Sequence, residues 1–214
     1  MKKHLSVLLA LLLFVSPVAA GEWKTPPPKA AVEQVEETLA VLWEGETDLD
    51  MLKQVRIDIS RALYDKKKVL SVTLLSPGGP VITSLEITRQ VKLAREKGLI
   101  VEIRGVALIA SGATFVLSAG TPGRRFISRY TFFLVHPPQS SSWGGAPECL
   151  TNMPDPKSVQ EKAINAILRI MRDMYMEFTK KSQEEVEKWL TCGNEIVGSG
   201  ELALSLGMAD EVRE

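Results

Sequence analysis

A serine hydroxyl is a poor nucleophile near neutral pH unless a base takes its proton, and the oxyanion that follows needs N–H donors already in place. Three short segments of this 214-residue sequence offer those parts: Ala110-Ser111-Gly112-Ala113, Leu134-Val135-His136-Pro137, and an upstream Ser76-Pro77-Gly78-Gly79 turn. Ser111 follows the apolar run 100–109, which reads as a buried strand. It opens the small-residue stretch 112–120, which reads as tightly packed helix. At such a junction the Gly112 N–H is a first-turn donor with no intrahelical acceptor. Gly78 and Gly79 end another apolar run, 69–75, and residues without a Cβ let a substrate backbone approach closely. They offer a second oxyanion donor, or an edge to which a peptide adds as a strand. Taken singly, a serine at a helix start is ordinarily an N-cap, and a Pro-Gly-Gly segment is ordinarily just a turn. Their joint occurrence points to a nucleophile, a general base and an oxyanion hole.

Positioning these residues requires alternating elements. Apolar runs at 69–75, 99–109 and 125–135 alternate with helical patterns at 48–63, 82–97 and 112–117. That is the signature of parallel strands joined by crossover helices, an α/β fold. Residues 139–156 form a polar, Gly- and Ser-rich stretch holding Trp143, Gly144 and Gly145, read either as a surface loop or as a lid that binds substrate or a neighbouring subunit. A helix is expected over 157–180, where Ile164, Ile167, Leu168, Met171, Met174, Tyr175 and Phe178 give a broad apolar face. Ser182 with Glu185 makes a capping box for another helix. No nucleotide-binding loop, metal-ligand motif or cofactor motif occurs.

Residues 1–20 read as a secretory signal: Lys2, Lys3 and His4 open it, an apolar core follows, and Val18-Ala19-Ala20 is a small-residue cleavage site. Cleavage after Ala20 implies a periplasmic or secreted protein with no stable membrane span, because the apolar run is too short to cross a bilayer comfortably. The first twenty residues hold two of the 26 basic residues and none of the 26 acidic ones, so the remainder carries a net charge of −2. That balance gives no basic footprint for nucleic acid. Residues 21–40 include Pro26-Pro27-Pro28, a stiff tether or oligomer contact, and 41–214 form one domain. Cys149 and Cys192 both lie in the exported part, where disulfides persist, and a bridge between them is expected.

Taken together, the segments resemble the proteolytic subunit of the Clp protease, within the Clp-protease and crotonase superfamily. The resemblance runs in order from about Leu42 to Val212. Leu42-Trp43-Glu44-Gly45-Glu46 is similar to that family's opening strand and turn, and Ser76-Pro77-Gly78-Gly79 to its oxyanion turn, with Pro80 as an insertion. Ala110-Ser111 followed by Gly120 and Gly123-Arg124-Arg125-Phe126 resembles its nucleophile segment, although Gly112 stands where the family carries methionine. His136, 25 residues after Ser111, keeps the family's spacing. Glu201-Leu202-Ala203 and Gly207-Met208-Ala209-Asp210 resemble the closing helix and final strand.

The resemblance implies a spiral of ββα units with a mostly parallel sheet and a C-terminal handle helix, assembly of identical subunits, and a Ser111, His136 and acid triad with Gly78, Gly79 and Gly112 around the oxyanion. The family places an aspartate near Glu195; counting forward from Ser182 instead leaves Asn194 as the alternative. A glutamate can orient an imidazole as an aspartate does. The expected activity is an ATP-independent serine peptidase acting on unfolded or short peptides. Two other readings remain: a catalytically inactive scaffold that binds extended peptides, and a crotonase-type enzyme acting on acyl thioesters.

Overall fold

The computed structural model describes residues 37–140, 148–151 and 154–214. The expected signal segment, most of the Pro-containing stretch and Trp143, Gly144 and Gly145 lie outside the described residues.

Strands and helices alternate at first: β1 (Thr38–Glu44), α1 (Leu49–Tyr64), β2 (Val69–Ser76), α2 (Val81–Glu96), β3 (Ile100–Ala110) and α3 (Gly112–Ser118). Next come β4 (Arg125–Ile127), β5 (Phe132–Val135) and a small hairpin of β6 (Gln139–Ser140) and β7 (Glu148–Cys149). The chain closes with α4 (Val159–Thr179), α5 (Gln183–Trp189), β8 (Ile196–Gly198), α6 (Gly200–Ser205) and β9 (Glu211–Val212). One sheet runs β1-β2-β3-β4-β9 with every neighbour parallel; β5 also pairs with β3, and β8 adds to β5 antiparallel. The expected α/β architecture with a mostly parallel sheet is therefore observed, and β1 begins a little ahead of position 41.

Local chemistry explains the elements that matter for the site. Asp48 caps α1 by accepting from the Asp50 and Met51 N–H groups, and the helix buries Met51, Leu52, Val55, Ile59 and Ala62 at three- and four-residue spacing. In β2, Leu70, Val72 and Leu74 alternate into the core, each contributing about 1.5–3 kcal/mol by burial. Pro80 precedes α2 at a position where its missing N–H costs nothing. Both Ser158 with Glu161 and Ser182 with Glu185 form capping boxes, the second as expected.

The run 125–135, expected as one strand, is two. Ser128 N–H bonds to Gly105 O and Thr131 N–H to Ser128 O, turning the chain between β4 and β5. β3 is irregular at the same level, with Ala107 at φ 55°. Its first part pairs with β4 through Ile103 to Gly105, and its last part with β5 through Leu108 to Ala110. The break re-aims β5 toward the end of β3. Behind it, Arg125 hydrogen-bonds Asp210, the Phe178 carbonyl at 3.2 Å and the Gly207 carbonyl at 3.0 Å, fastening the end of α4 to the sheet. Burial alone would raise the Asp210 carboxyl, but the Arg125 bonds hold it below the usual carboxylate range.

Candidate active site

Parallel strands bring their C-terminal ends to one edge, and that is where α/β sheets bind ligands. The Ser76–Gly79 turn leaves β2, Ser111 leaves β3 and His136 leaves β5, all at that edge. Ala110 pairs with Leu134 across the last parallel step, so Ser111 and His136 emerge from neighbouring strands.

Ser111 is not a capping serine. It stands at the N-terminal junction of α3 with φ 53° and ψ −126°, and its side chain makes no cap hydrogen bond. A positive φ in a residue with a Cβ costs of order 1–3 kcal/mol and persists only where its surroundings fix it. Here Ser111 N–H donates to Leu134 O at 2.9 Å, while Ser111 O accepts from Thr114 N at 3.0 Å and from Thr114 Oγ1 at 2.6 Å. Thr114 Oγ1 also meets Tyr175 Oη at 2.8 Å. Burial pushes the Tyr175 phenol up, only partly offset by Thr114, so it stays protonated and can donate. A strained strand-to-helix turn of this kind leaves a hydroxyl exposed for attack rather than folded back onto the helix. All of α3 is buried, whereas Ser111 itself is half-buried.

Gly78 packs directly on this turn. At φ +91°, a Cβ on it would lie 2.6 Å from Ala110 O, 2.6 Å from Ser111 Cβ and 2.8 Å from Gly112 N. Its own N–H donates to Ser76 Oγ at 3.1 Å and its carbonyl accepts from Thr47 N at 2.9 Å. Beside it, the Gly79 and Gly112 N–H groups have no hydrogen-bond partner among the described residues. Thr47 Oγ1 and Ser84 Oγ form a buried pair at 2.6 Å beside Gly112. A Cβ at Gly112 would lie 2.8 Å from Ser84 Cβ, so the methionine that the resemblance puts there has no room. Thr47 and Ser84 were not legible as site residues, since nothing in the sequence couples positions so far apart.

On the other flank, β8 runs antiparallel to β5 with Ile196 opposite Val135, which makes Glu195 and His136 the next residues outward on the two strands. They are neighbours without a bond. Glu195 and Asn194 are exposed, and no hydrogen bond or ion pair joins Glu195 to the imidazole. His136 Nδ1 instead meets the Pro137 carbonyl oxygen at 2.7 Å. No hydrogen bond joins Ser111 Oγ to His136 in this conformation. Cys149 and Cys192 are bridged, with Cα atoms 6.0 Å apart, tying the strand after His136 to the segment before Glu195. Among the described residues no group of three or more His, Cys, Asp or Glu gathers as metal ligands would, and no helix is long and apolar enough to cross a membrane.

Comparison with known proteins agrees with this frame: residues 31–214 match the family described as Clp protease. The chain belongs to the Clp protease family. Curated members are distant. The ATP-dependent Clp protease proteolytic subunit 1 of Corynebacterium jeikeium is 27% identical over 124 residues, covering 58% of this chain and 60% of that protein. Subunit 2 of Bifidobacterium longum is 25% identical over 184 residues, covering 82% and 83% respectively. Subunit 2 of Mycolicibacterium paratuberculosis is 26% identical over 157 residues, covering 71% and 69%. The matched residues include the strand-end edge, the strained Ser111 and His136.

Proposed function

We propose that this Clp protease family member is a serine peptidase of the cell envelope or secreted space that cleaves unfolded protein or short peptides without ATP. Ser111 Oγ attacks the scissile carbonyl while passing its proton to His136; the amides of Gly79 and Gly112 receive the developing oxyanion, with Gly78 shaping the turn; and His136 then gives the proton to the leaving amine. Glu195, the neighbouring carboxylate, favours the imidazolium through space. The observation that carries this reading is the positive φ of Ser111 with no capping bond, a costly conformation that a merely structural serine has no need of. The disulfide supports an oxidising compartment, as does the expected signal segment. The ATP-independence follows from the expected export, which separates the protein from a cytoplasmic ATP-driven unfoldase. Assembly from several copies fits the exposed Ile82 and Ile170, which flank an apolar groove between α2 and α4.

The test is hydrolysis of an unfolded protein by the purified wild type and by Ser111→Ala, with and without ATP. The wild type alone should cleave, and ATP should change nothing. Equal cleavage by both proteins would remove the role of Ser111, and dependence on ATP would remove the proposed mode of supply. The exposed Glu195 favours one second reading, an inactive scaffold that binds extended peptides; its mark is saturable peptide binding with no turnover.

A further inference from the structure

We infer that the base of this site is oriented by a main-chain carbonyl: Pro137 O holds His136 in the tautomer that can accept the Ser111 proton, the positioning role a carboxylate fills in the usual triad. The inference rests on the peptidase reading above and concerns how its base is set.

The first step is chemical. A carbonyl oxygen can only accept, so the 2.7 Å contact between His136 Nδ1 and Pro137 O requires the proton to sit on Nδ1. A neutral imidazole has one N–H, which leaves the Nε2 lone pair bare. Nε2 is the nitrogen that takes the serine proton in triads of this type. A ring with the opposite tautomer would present an N–H to the nucleophile and could not act as its base.

The second step is mechanical. An acceptor that orients a ring must itself be fixed, and the sequence His136-Pro137-Pro138 fixes this one covalently. The Pro137 ring locks its own φ, and the following Pro138 confines its ψ to the extended region, so both torsions that aim the carbonyl are restrained. Pro137 and Pro138 are buried. Leu150 N–H donates to Pro138 O at 2.8 Å, Gln139 pairs with Cys149, and Cys149 is bridged to Cys192. A glutamate in the same role would have to surrender the rotamer freedom of a long side chain. Glu195 has not done so: it is exposed and unbonded.

The third step follows from charge. When Ser111 Oγ–H passes its proton to Nε2 and Oγ bonds the substrate carbonyl carbon, the ring becomes an imidazolium whose Nδ1–H still points at Pro137 O. A neutral carbonyl stabilises that cation less than a carboxylate does, so turnover is slow but survives loss of the acid.

The experiment reads the tautomer directly. In the 15N NMR spectrum of the labelled wild-type protein, with the ring signals assigned against His136→Gln, the neutral form of His136 should carry its proton on Nδ1. Glu195→Gln should keep that tautomer and lower kcat by less than about tenfold, against about 10⁴-fold where a carboxylate sets the tautomer. Pro138→Ala, which frees the Pro137 ψ, should mix the tautomers and lower kcat about tenfold with KM within about twofold, kcat being taken per active site counted by fluorophosphonate titration so that unfolded molecules do not enter it. A wild-type ring protonated on Nε2, or a Glu195→Gln protein that changes tautomer and loses about 10³-fold or more in kcat, overturns the inference. Either result leaves the peptidase reading standing if Ser111 still reacts with a fluorophosphonate; failure of that reaction would instead remove the reading on which the inference rests.

Discussion

The two flanks of the strand-end edge are built in opposite ways. On the nucleophile flank, Gly78, Ser111 and Gly112 meet so closely that neither glycine can accept a Cβ, and buried hydroxyls of Thr47, Ser84, Thr114 and Tyr175 close the gaps. On the base flank, residues 191–195 are all exposed, and a disulfide does what packing does elsewhere. The difference teaches that precision here is concentrated where charge develops, while the group that handles the proton is held by covalent geometry.

Substitutions should separate the flanks sharply. Gly78→Ala combines a positive-φ penalty with overpacking and should cost about 2–5 kcal/mol, together with loss of Ser111 reactivity, measured by chemical unfolding and by labelling. Comparable labelling in the variant would mean that the turn is not as tight as the contacts indicate. Next in size is the bridge: Cys149→Ser with Cys192→Ser opens a loop with a sequence separation of 43. The chain-entropy argument puts its cost at about 2–4 kcal/mol. Hydrogen exchange should quicken at Gln139, Ser140 and 191–196 while the amides of α3 stay protected; uniform quickening would erase the distinction between the flanks.

A matched glycine on the base flank sharpens the contrast. Gly193 also has positive φ, +82°, but a Cβ there would meet nothing within 4 Å. Gly193→Ala should therefore cost only the backbone term, about 1–2 kcal/mol, and leave fluorophosphonate reactivity intact. A cost equal to that of Gly78→Ala would show that conformation, not packing, dominates both sites. The smallest effect should come from Tyr175→Phe. Thr114 Oγ1 can still donate to Ser111 O, so thermal unfolding should report a loss of about 0.5–1.5 kcal/mol. No loss at all would mean that α4 does not brace the turn through this hydroxyl.

Much of this organisation was legible in the residues, and the misses have physical reasons. Period-3.6 patterns located α1, α2 and α4 to within a residue or two, and the apolar runs located β2 and β3. The run 125–135 misled because its polar interruption, Ser128-Arg129 with Thr131, was read through as part of one strand, whereas hydrogen bonds of Ser128 and Thr131 to Gly105 turn the chain there. β8 was missed because three residues, one of them the exposed Val197, carry too little periodicity; its only cue was Ile196-Val197 between Gly193 and Gly198. At the site, residue types and order pointed to Ser111 and His136. The strain at Ser111 was not readable, since a backbone torsion depends on what Gly78 and Leu134 do to it. Nor was the Pro137 carbonyl, because main-chain acceptors leave no signature in side-chain identity.

The central claim is that Ser111 is a poised nucleophile, and one measurement reaches it most directly. The protein is treated with a fluorophosphonate, digested and mapped by mass spectrometry. A single adduct is expected on the peptide containing Ser111, absent from Ser111→Ala and blocked by prior denaturation. No adduct on the folded wild type, or an adduct on another serine that persists in Ser111→Ala, would contradict it.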